Sequence, residues 1–418
     1  TEKFGEQIPF CEPYWYQGYH SPHFHDGHRA FRNKVREFVE KELIPYRDEW
    51  IKTGYPVSLH EKIYQAGISG IIYPREYGGT KPDDFDSFYE MVLIDEISRV
   101  GGGVLGQLGI NSMALPPIIQ FGSDYLKDLV LRDVITGKKS CCLAISEPYA
   151  GSDVANLQTS AVPDGDFYVV NGQKKWITGG MMGDFFTTAV RTGDDGMGGL
   201  SLLLIERNTP GVSIRKMETQ FDNSHSTTFI ILDDVRVPKR NLIGEEGMGF
   251  LYIVRNFNHE RFVISAGTCR EARTCYSEAF KYAMERKTFG KSLISHQIIR
   301  FKLAEMARQI ESLYDSVERI GYQFQCGVPD QHMGPQCALL KVNASKTFEF
   351  CAREASQIFG GSSIVKEGKG KVVERLYRNV RAAAIPGGSE EILLDFTIRQ
   401  AAAKAKRLQS NLQVNKLK

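Results

Sequence analysis

The chain has 418 residues, 42% of them hydrophobic and 24% charged, and its formal net charge is +2. This composition is typical of a globular protein with material for two or three domains, and the small net charge argues against nucleic acid or a membrane surface as a partner. No stretch approaches the roughly 18 consecutive apolar residues that a transmembrane segment needs.

The termini and the cysteines bear on the compartment. The N-terminal residues have neither the basic start nor the apolar core of a secretory signal, and the C-terminal NKLK is not a peroxisomal signal. The eight cysteines include no CxxC pair and no Cys/His zinc spacing, which predicts reduced thiols and no metal site. We therefore expect an intracellular protein, in the mitochondrial matrix if eukaryotic (with its targeting peptide removed) and otherwise in the cytoplasm.

Residues 1–26 are interpreted as an N-terminal extension. Four histidines lie in or next to it: His20, His23, His25 and His28. A metal site is one interpretation of this cluster, but no cysteine or carboxylate completes a ligand set in the sequence. The sequence favours a polar, solvated extension.

Residues 27–139 are predicted to form an α-helical domain. Apolar residues recur at helical spacing over 27–50, and similar patterns follow at 57–68, 84–100, 104–120 and 123–136. The glycine and proline residues of YPREYGG (73–79) and of GGG (101–103) separate these segments.

Residues 140–243 change in character and predict a β-domain. Short β-branched and aromatic runs alternate with Gly, Asp and Asn, and no helical pattern lies between them, which argues against a parallel sheet. The Asn171-Gly172 pair predicts a hairpin turn.

Residues 244–418 return to helical periodicity, with predicted helices at 246–286, 295–326, 334–358 and roughly 389–410. The fold class is therefore α+β multidomain: an all-α N-terminal domain, a middle β-barrel or sandwich domain, and a C-terminal four-helix bundle.

Several glycine-rich or basic motifs are candidate ligand sites, and each has a plainer alternative. LAISEPYAGSD (143–153) offers the hydroxyls of Ser146 and Ser152, and KKWITGG (174–180) places Trp176 as either a core residue or a wall for a flat cofactor. ERKTFGKSLISHQ (285–297) is an anionic-ligand site or a solvated helix end. In AIPGGSEEIL (384–393) the two glycines expose backbone N–H groups at the start of a helix, where they could hold a ligand. The plainer alternative is a loop in which Ser389 is the N-cap of that helix.

Taken together, these motifs resemble the acyl-CoA dehydrogenase flavoprotein family over about residues 27–405. PREYGG, ISEPYAGSD, NGQKKWITGG, DDVRVP with GEEGMGF, ERKTFGKSLISHQ and QIFGG match in this order. Each motif alone is weak, whereas the ordered set is highly specific. The family fold has the three parts predicted above.

The resemblance implies FAD as the cofactor, bound in the family between the β-domain and the bundle. It places Ser146, Ser152, Trp176 and Thr178 at the isoalloxazine wall, with Ser152 also near the thioester. It implies contacts with the FAD of a neighbouring subunit, and hence a homotetramer built as a dimer of dimers. The remaining implied cofactor-binding residues are Arg286, Phe289, Gln297, Gln357, Gly360, Gly361, Ser389 and Glu391.

The catalytic base is the main departure from many family members. They carry a glutamate where this chain has Gly387. Long-chain-type and isovaleryl-type members instead carry it on a bundle helix, in a stretch that Glu260 and Arg261 match. The resemblance thus implies that Glu260 removes the α-proton while FAD N5 accepts the β-hydride, with the Gly387 N–H polarising the thioester carbonyl. On its own, Glu260 also fits an ordinary surface glutamate in an ion pair.

The implied reaction converts an acyl-CoA to its trans-2-enoyl-CoA, as in fatty acid β-oxidation, with an electron-transferring flavoprotein as acceptor. Arg261, Pro386, Gly387 and Gly388 are implied substrate contacts. Pro386, Tyr149 and Ser362 depart from the usual family residues, which affects the acyl pocket more than FAD binding. The alternatives are an oxygen-using oxidase-like enzyme and a non-catalytic binding or assembly protein. Acyl chain length and a carrier-protein thioester remain open.

Overall fold

The computed structural model describes residues 3–101, 109, 111–221 and 227–416, with side chains up to residue 409. The chain divides into two compact units. One contains Asp26–Phe257, and the other contains Thr1–His25 together with Asn258–Lys418. No helix in the described ranges is long and apolar enough to cross a membrane.

The first unit begins with short helices: α1 (Asp26–Phe38), α2 (Arg47–Thr53), α3 (Ser58–Gln65), α4 (Ser87–Ile97), α5 (Pro116–Phe121) and α6 (Asp124–Ile135). In place of the single helix predicted over 27–50, the structure has α1, a π-helical segment (Val39–Leu43), a 3₁₀ turn (Ile44–Tyr46) and α2. Pro45 explains the break, because its nitrogen carries no hydrogen for the helical ladder. Residues 104–108 and 110 of the predicted 104–120 helix lie outside the described residues.

Side-chain caps set where two of these helices begin. The Asp86 carboxylate accepts hydrogen bonds from the backbone N–H groups of Phe88 and Tyr89 at the start of α4. The Ser123 hydroxyl accepts from the Leu126 N–H at the start of α6. Both satisfy donors that a helix leaves unpaired in its first turn.

The middle of this unit is one eight-stranded sheet. Its strands are β1 (Cys141–Ala144), β2 (Ser160–Asp164), β3 (Phe167–Thr178), β4 (Phe185–Arg191), β5 (Leu200–Glu206), β6 (Val212–Lys216), β7 (Thr227–Pro238) and β8 (Leu242–Ile243). The spatial order is β6-β7-β3-β2-β4-β5-β8, with β1 beside β4. The strand pairs are antiparallel except β1–β4 and a single residue pair of β2 with β4. The argument against a parallel sheet is thus confirmed.

The predicted hairpin turn at Asn171-Gly172 is wrong. Both residues lie inside β3, where a register shift against β7 marks a bulge. A Cβ on Gly172 would come within 2.7 Å of the Thr159 Cα, so the glycine permits a close backbone approach. The β2–β3 turn lies instead between Asp164 and Phe167, which are paired across the ladder.

The sheet is buried on both faces, as the alternation of side chains shows. Cys141 and Leu202 lie in the apolar cluster that includes Val130 of α6, whereas the adjacent Cys142 and Leu203 lie in a second cluster on the other face. Because successive strand residues point to opposite faces, adjacent buried residues require two buried faces. None of the eight cysteines forms a disulfide.

The rest of the chain is mainly helical. It contains α7 (Gly249–Glu285), the hairpin strands β9 (Lys287–Thr288) and β10 (Lys291–Ser292), α8 (Gln297–Gln325), α9 (Asp330–Phe359), α10 (Lys371–Ala384) and α11 (Glu390–Lys416). The four long helices confirm the prediction. Helix α10 was missed, although Val373, Leu376 and Val380 give it a buried stripe at helical spacing.

The N-terminal segment is not a solvated extension. The Trp15 side chain is 1% exposed, and its indole nitrogen donates to the Tyr314 hydroxyl of α8 at 3.0 Å. Glu12 is buried in an ion pair with Arg270 of α7 at 2.8 Å. The segment is therefore part of the helical unit's core, because its aromatic side chains supply apolar area that outweighs its polar composition.

Candidate active site

In the β-domain the structure brings together the two motifs predicted to hold a flat cofactor. The Lys175 N–H donates to the Ser146 carbonyl at 2.9 Å, so the ISEPYAGSD loop runs beside the end of β3. Trp176, next to this contact, is 54% exposed and has φ of +67°. A large residue in the left-handed region is strained, and such strain clusters at ligand sites. The core interpretation of Trp176 is thus wrong, and its ring is available for stacking.

The other two predicted residues of this wall are accessible but less constrained. Thr178, the last residue of β3, is half-buried, and Ser152 is exposed. Just before Ser152, Glu147 and Ala150 exchange backbone hydrogen bonds of 3.0 and 3.2 Å, which fold the loop into a tight turn. A Cβ on Gly151 would meet nothing within 4 Å, so the loop leaves open space beside Ser152.

A buried ion pair anchors this loop, and the sequence analysis missed it. Lys174 of β3 donates to the Glu147 carboxylate at 2.8 Å and to the Ile145 carbonyl at 3.0 Å. Glu147 also accepts from the N–H groups of Gln158 and Thr159. Burial lowers the pKa of Lys174 to about 8, with Glu147 opposing that shift. Burial alone would raise the pKa of Glu147, yet Lys174 and the N–H donors lower it.

In the helical unit, the ERKTFG motif forms a tight hairpin between β9 and β10. Phe289 (φ +51°) and Gly290 (φ +78°) occupy its tip, as a type I′ turn requires. The Phe289 side chain is 95% exposed. An aromatic ring held at a strained turn and left in solvent has the position expected of a residue that contacts another molecule.

The same hairpin borders a cleft of about 630 Å³ that also involves the segment after QIFGG. Arg286, Lys287 and Lys369 line it, together with Glu285. Gln357 is exposed near the end of α9. A Cβ on Gly360 or on Gly361, directly after α9, would meet open space. The structure thus brings the basic motif and the segment after QIFGG to one site, where Lys369 pairs with Glu285 at 2.7 Å.

Gln297 is exposed at the first position of α8. Ser389 directly precedes α11, and Glu391 is its second residue. The pKa of the Glu391 carboxylate is lowered, first by its own backbone N–H and then by a hydrogen bond from Ser389. Ser389 therefore has the capping position of the plainer interpretation, and both residues remain accessible.

The PGG loop is built on two left-handed glycines. Gly387 has φ of +73° and Gly388 has φ of +111°. A Cβ on Gly387 would lie 3.1 Å from Ile264 Cδ1, and one on Gly388 would lie 2.7 Å from the Leu393 side chain. Only glycine meets both conditions without strain, so this position is unsuited to a glutamate. Pro386, before it, is exposed.

Two cations hold this loop from different helices. Arg261 of α7 donates from Nε to the Gly387 carbonyl at 3.0 Å. Lys341 of α9 is 1% exposed, and its Nζ donates to the carbonyls of Ala384 and Gly388, the latter at 3.0 Å. Burial lowers the pKa of Lys341 to about 8. Burial also lowers the pKa of Arg261.

Glu260 lies one turn before Ile264 on the same face of α7, next to Arg261. Because both Ile264 and Arg261 contact the Gly387 position, this helical turn faces the PGG loop. Glu260 is 6% exposed, so the surface interpretation of this residue is wrong. A buried carboxylate beside a bare backbone loop is chemically suited to act as a base toward a ligand held there.

Comparisons with known proteins identify the family of this chain. The models of the acyl-CoA dehydrogenase N-terminal, middle and C-terminal domains match residues 25–138, 142–235 and 247–402. The chain belongs to the acyl-CoA dehydrogenase family. An acyl-CoA dehydrogenase of Emericella nidulans is 38% identical, with 94% of this chain and 95% of that protein covered.

Solved structures of acyl-CoA dehydrogenases have the same fold. A probable acyl-CoA dehydrogenase of Mycobacterium abscessus superimposes with a TM-score of 0.85 at 38% identity, covering 90% of this chain and 99% of that one. A glutaryl-coenzyme A dehydrogenase in complex with glutaryl-CoA gives a TM-score of 0.83 at 27% identity, covering 92% and 97%. The resemblance stated from the motifs and the three-part fold are confirmed, and the chain is an acyl-CoA dehydrogenase-type enzyme.

Sequence analysis missed three buried residues that hold the two candidate loops, namely Lys174 and Glu147 in the sheet and Lys341 in the helical unit. A signal existed for Lys341, since it interrupts the apolar run CALLKV inside a predicted helix. A lone lysine on a buried helical face needs a polar partner. Its partners are backbone carbonyls far along the chain, which no sequence pattern identifies.

Proposed function

We propose that the protein oxidises an acyl-CoA thioester to the trans-2-enoyl-CoA, with Glu260 as the base and FAD as the cofactor. The observation that carries this proposal is the pairing of a buried Glu260 with a PGG loop that cannot accommodate a glutamate. The site needs one carboxylate for proton abstraction, and Glu260 is on the helical turn that faces the loop.

The residues fit FAD. In the β-domain, the strained and exposed Trp176 beside the Ser146 loop supports a ring-stacking wall, with Ser152 and Thr178 alongside. In the helical unit, the cleft lined by Arg286 suits a pyrophosphate, because arginine binds phosphate in a bidentate manner. FAD, when bound, accepts the hydride that leaves the substrate β-carbon.

The protein's own part in the chemistry is to polarise the thioester and move one proton. The Gly387 N–H is proposed to donate to the thioester oxygen, which acidifies the α-carbon. The α-C–H bond then breaks, its proton passes to the Glu260 carboxylate, and its electron pair enters the new double bond as hydride leaves the β-carbon. Burial of Glu260 excludes water that would otherwise compete for that proton.

A homotetramer and an electron-transferring flavoprotein complete the proposal. The exposed Phe289 on its strained turn supports contact with the FAD of a neighbouring subunit. Sedimentation of the holoenzyme tests the assembly. Reoxidation of the reduced enzyme tests the acceptor: rapid electron transfer to the flavoprotein supports a dehydrogenase, whereas hydrogen peroxide formed at the turnover rate supports an oxidase.

The direct test is Glu260→Gln in the FAD-loaded enzyme, mixed without oxygen with a series of short, long, branched and aryl acyl-CoA esters. Wild type should lose its flavin absorbance, and the fastest ester names the substrate class. The variant should retain FAD and reduce it about 10²- to 10⁴-fold more slowly, the range for loss of a general base. Glu278→Gln is the matched control, since Glu278 lies on the same helix about 27 Å away.

Near-normal flavin reduction in Glu260→Gln would contradict the assignment of Glu260 as the base. A protein that cannot be loaded with FAD would favour the non-catalytic interpretation. A flavin-loaded protein that no acyl-CoA reduces would favour another thioester carrier.

A further inference from the structure

The loop that carries Gly387 is braced at both ends by a single side chain. Lys341 Nζ donates to the carbonyls of Ala384 and Gly388, four residues apart in sequence. Arg261 holds the intervening Gly387 carbonyl. Three carbonyls of this short loop therefore point at two cations.

This brace matters because of the two glycines. Glycine populates a wide range of backbone conformations, so the Gly387 N–H would point in many directions if the loop ends were free. The Gly387 N–H shares its peptide plane with the Pro386 carbonyl. Lys341 and Arg261 hold the carbonyls of Ala384 and Gly387 on either side of that plane, which restricts the direction of the N–H. An oxyanion donor is effective only when its direction is set before the reaction.

Lys341 also brings charge to this place. Its Cε lies 3.8 Å from the position of a Cβ on Gly387. Among the described residues, no carboxylate forms a hydrogen bond with Lys341, and the acid that influences it, Glu390, acts through space. Arg261 and Arg381 add further positive charge around it. Three cationic side chains therefore lie near the loop, opposed through space by Glu390 and, on α7, by the Glu260 carboxylate.

We propose that Lys341 is a positioning residue for the dehydrogenation: it orients the Gly387 N–H and its positive charge stabilises the thioester oxygen as that oxygen becomes enolate-like. This inference rests on the proposed function. No covalent step involves the lysine. As the α-C–H bond breaks and its proton passes to Glu260, the charge that develops on the thioester oxygen faces a donor held by Lys341.

The test uses FAD-loaded enzyme and acetoacetyl-CoA, a thioester whose acidic α-proton lets it bind as an enolate that is visible by absorbance. In Lys341→Met the ratio of bound enolate to bound neutral ligand should fall about fiftyfold, the effect of one charge roughly 7 Å away at an effective dielectric near 20. Flavin reduction by substrate should slow similarly through kcat, with KM little changed.

The control is Lys302→Met, which removes another lysine of the bundle that pairs with Glu354 rather than with the loop. Its enolate ratio should match wild type. A Lys341→Met enzyme that keeps its FAD and has a wild-type enolate ratio overturns the inference, even if its unfolding temperature falls. If acetoacetyl-CoA and substrates fail to act on wild type, the proposed function itself has failed.

The pH dependence keeps the inference testable should Lys341→Met not fold. Charged groups face Lys341 from three other helices, namely Arg261, Arg381 and Glu390. Lys341→Arg is the reference variant, because it has the same charged neighbours but keeps its positive charge at every pH tested. Burial lowers the pKa of Lys341 to about 8. The enolate ratio of wild type should therefore fall relative to Lys341→Arg above about pH 8, and parallel curves would overturn the inference.

Discussion

Two buried lysines, one in each unit, hold the loops that carry the proposed site, and they do so differently. Lys174 in the sheet pairs with the Glu147 carboxylate, whereas Lys341 in the bundle donates to the carbonyls of Ala384 and Gly388. Burial lowers the pKa of each to about 8. Both are thus costly to keep charged, and both donate hydrogen bonds to protein oxygens.

The difference lies in what remains after each pairing. The Lys174–Glu147 pair is neutral overall, so it fixes the ISEPYAGSD loop without imposing a field. Lys341 keeps its positive charge, because carbonyl dipoles orient toward it without neutralising it. The neutral Lys174–Glu147 pair suits a loop that packs against an uncharged flat ring. The charged Lys341 suits a loop whose N–H donates to an oxygen that becomes negative during the reaction.

The largest expected effect comes from breaking the neutral pair. Lys174→Met leaves the Glu147 carboxylate buried without its cation, which typically costs about 3–5 kcal/mol. Calorimetry of the holoenzyme should show a correspondingly lower unfolding temperature. Adding Glu147→Gln should restore part of the loss, because the stranded charge is then gone. A double variant as unstable as the sum of the single variants would show that the pair does not act as a unit.

The pH dependence of stability should have the opposite sign to that of the enolate ratio. The unfolded chain keeps the Lys341 proton up to its ordinary pKa of 10.5, while the folded protein releases it near pH 8. Between these values the unfolded state binds more protons, so the free energy of unfolding should rise with pH, by up to about 3 kcal/mol relative to Lys341→Met. Denaturant titrations from pH 7 to 10 measure it. A fall in this range would mean that Lys341 stays charged when buried.

The smallest of these effects concerns Gly387. Gly387→Ala should destabilise by about 1–2 kcal/mol, the cost of a left-handed conformation for an L-residue, plus whatever shift Ile264 must make. Flavin reduction should slow, since the N–H would move with the backbone. The matched substitution Gly198→Ala, which meets open space in the connection between β4 and β5, should change neither property. If Gly387→Ala were neutral in both, the loop would be less tightly set than the structure indicates.

Gly387→Glu sharpens the same point. In a Glu260→Gln background it places a carboxylate where many relatives have one. The positive φ and the Ile264 contact predict no more than a small recovery of flavin reduction. Full recovery would show that this loop still accommodates the alternative arrangement.

Local patterns were sufficient for much of the fold. Helical periodicity predicted the four long helices, and short β-branched runs predicted the middle sheet, because both signals depend on neighbours a few residues apart. The errors arose where distant contacts decide. The Asn171-Gly172 pair has the composition of a turn, but the approach of Thr159 makes it a bulge within β3.

The sequence by itself determined the family, the PGG loop and Glu260 as the candidate base, since these depend on residue identity and order. Only the tertiary structure decided that Glu260 is buried, that Trp176 is exposed, and that the N-terminal segment lies against the bundle. Only the tertiary structure showed that Lys341 donates hydrogen bonds to the carbonyls of the PGG loop. Burial and hydrogen bonds to distant carbonyls depend on which segments meet in space, and no local pattern encodes that meeting.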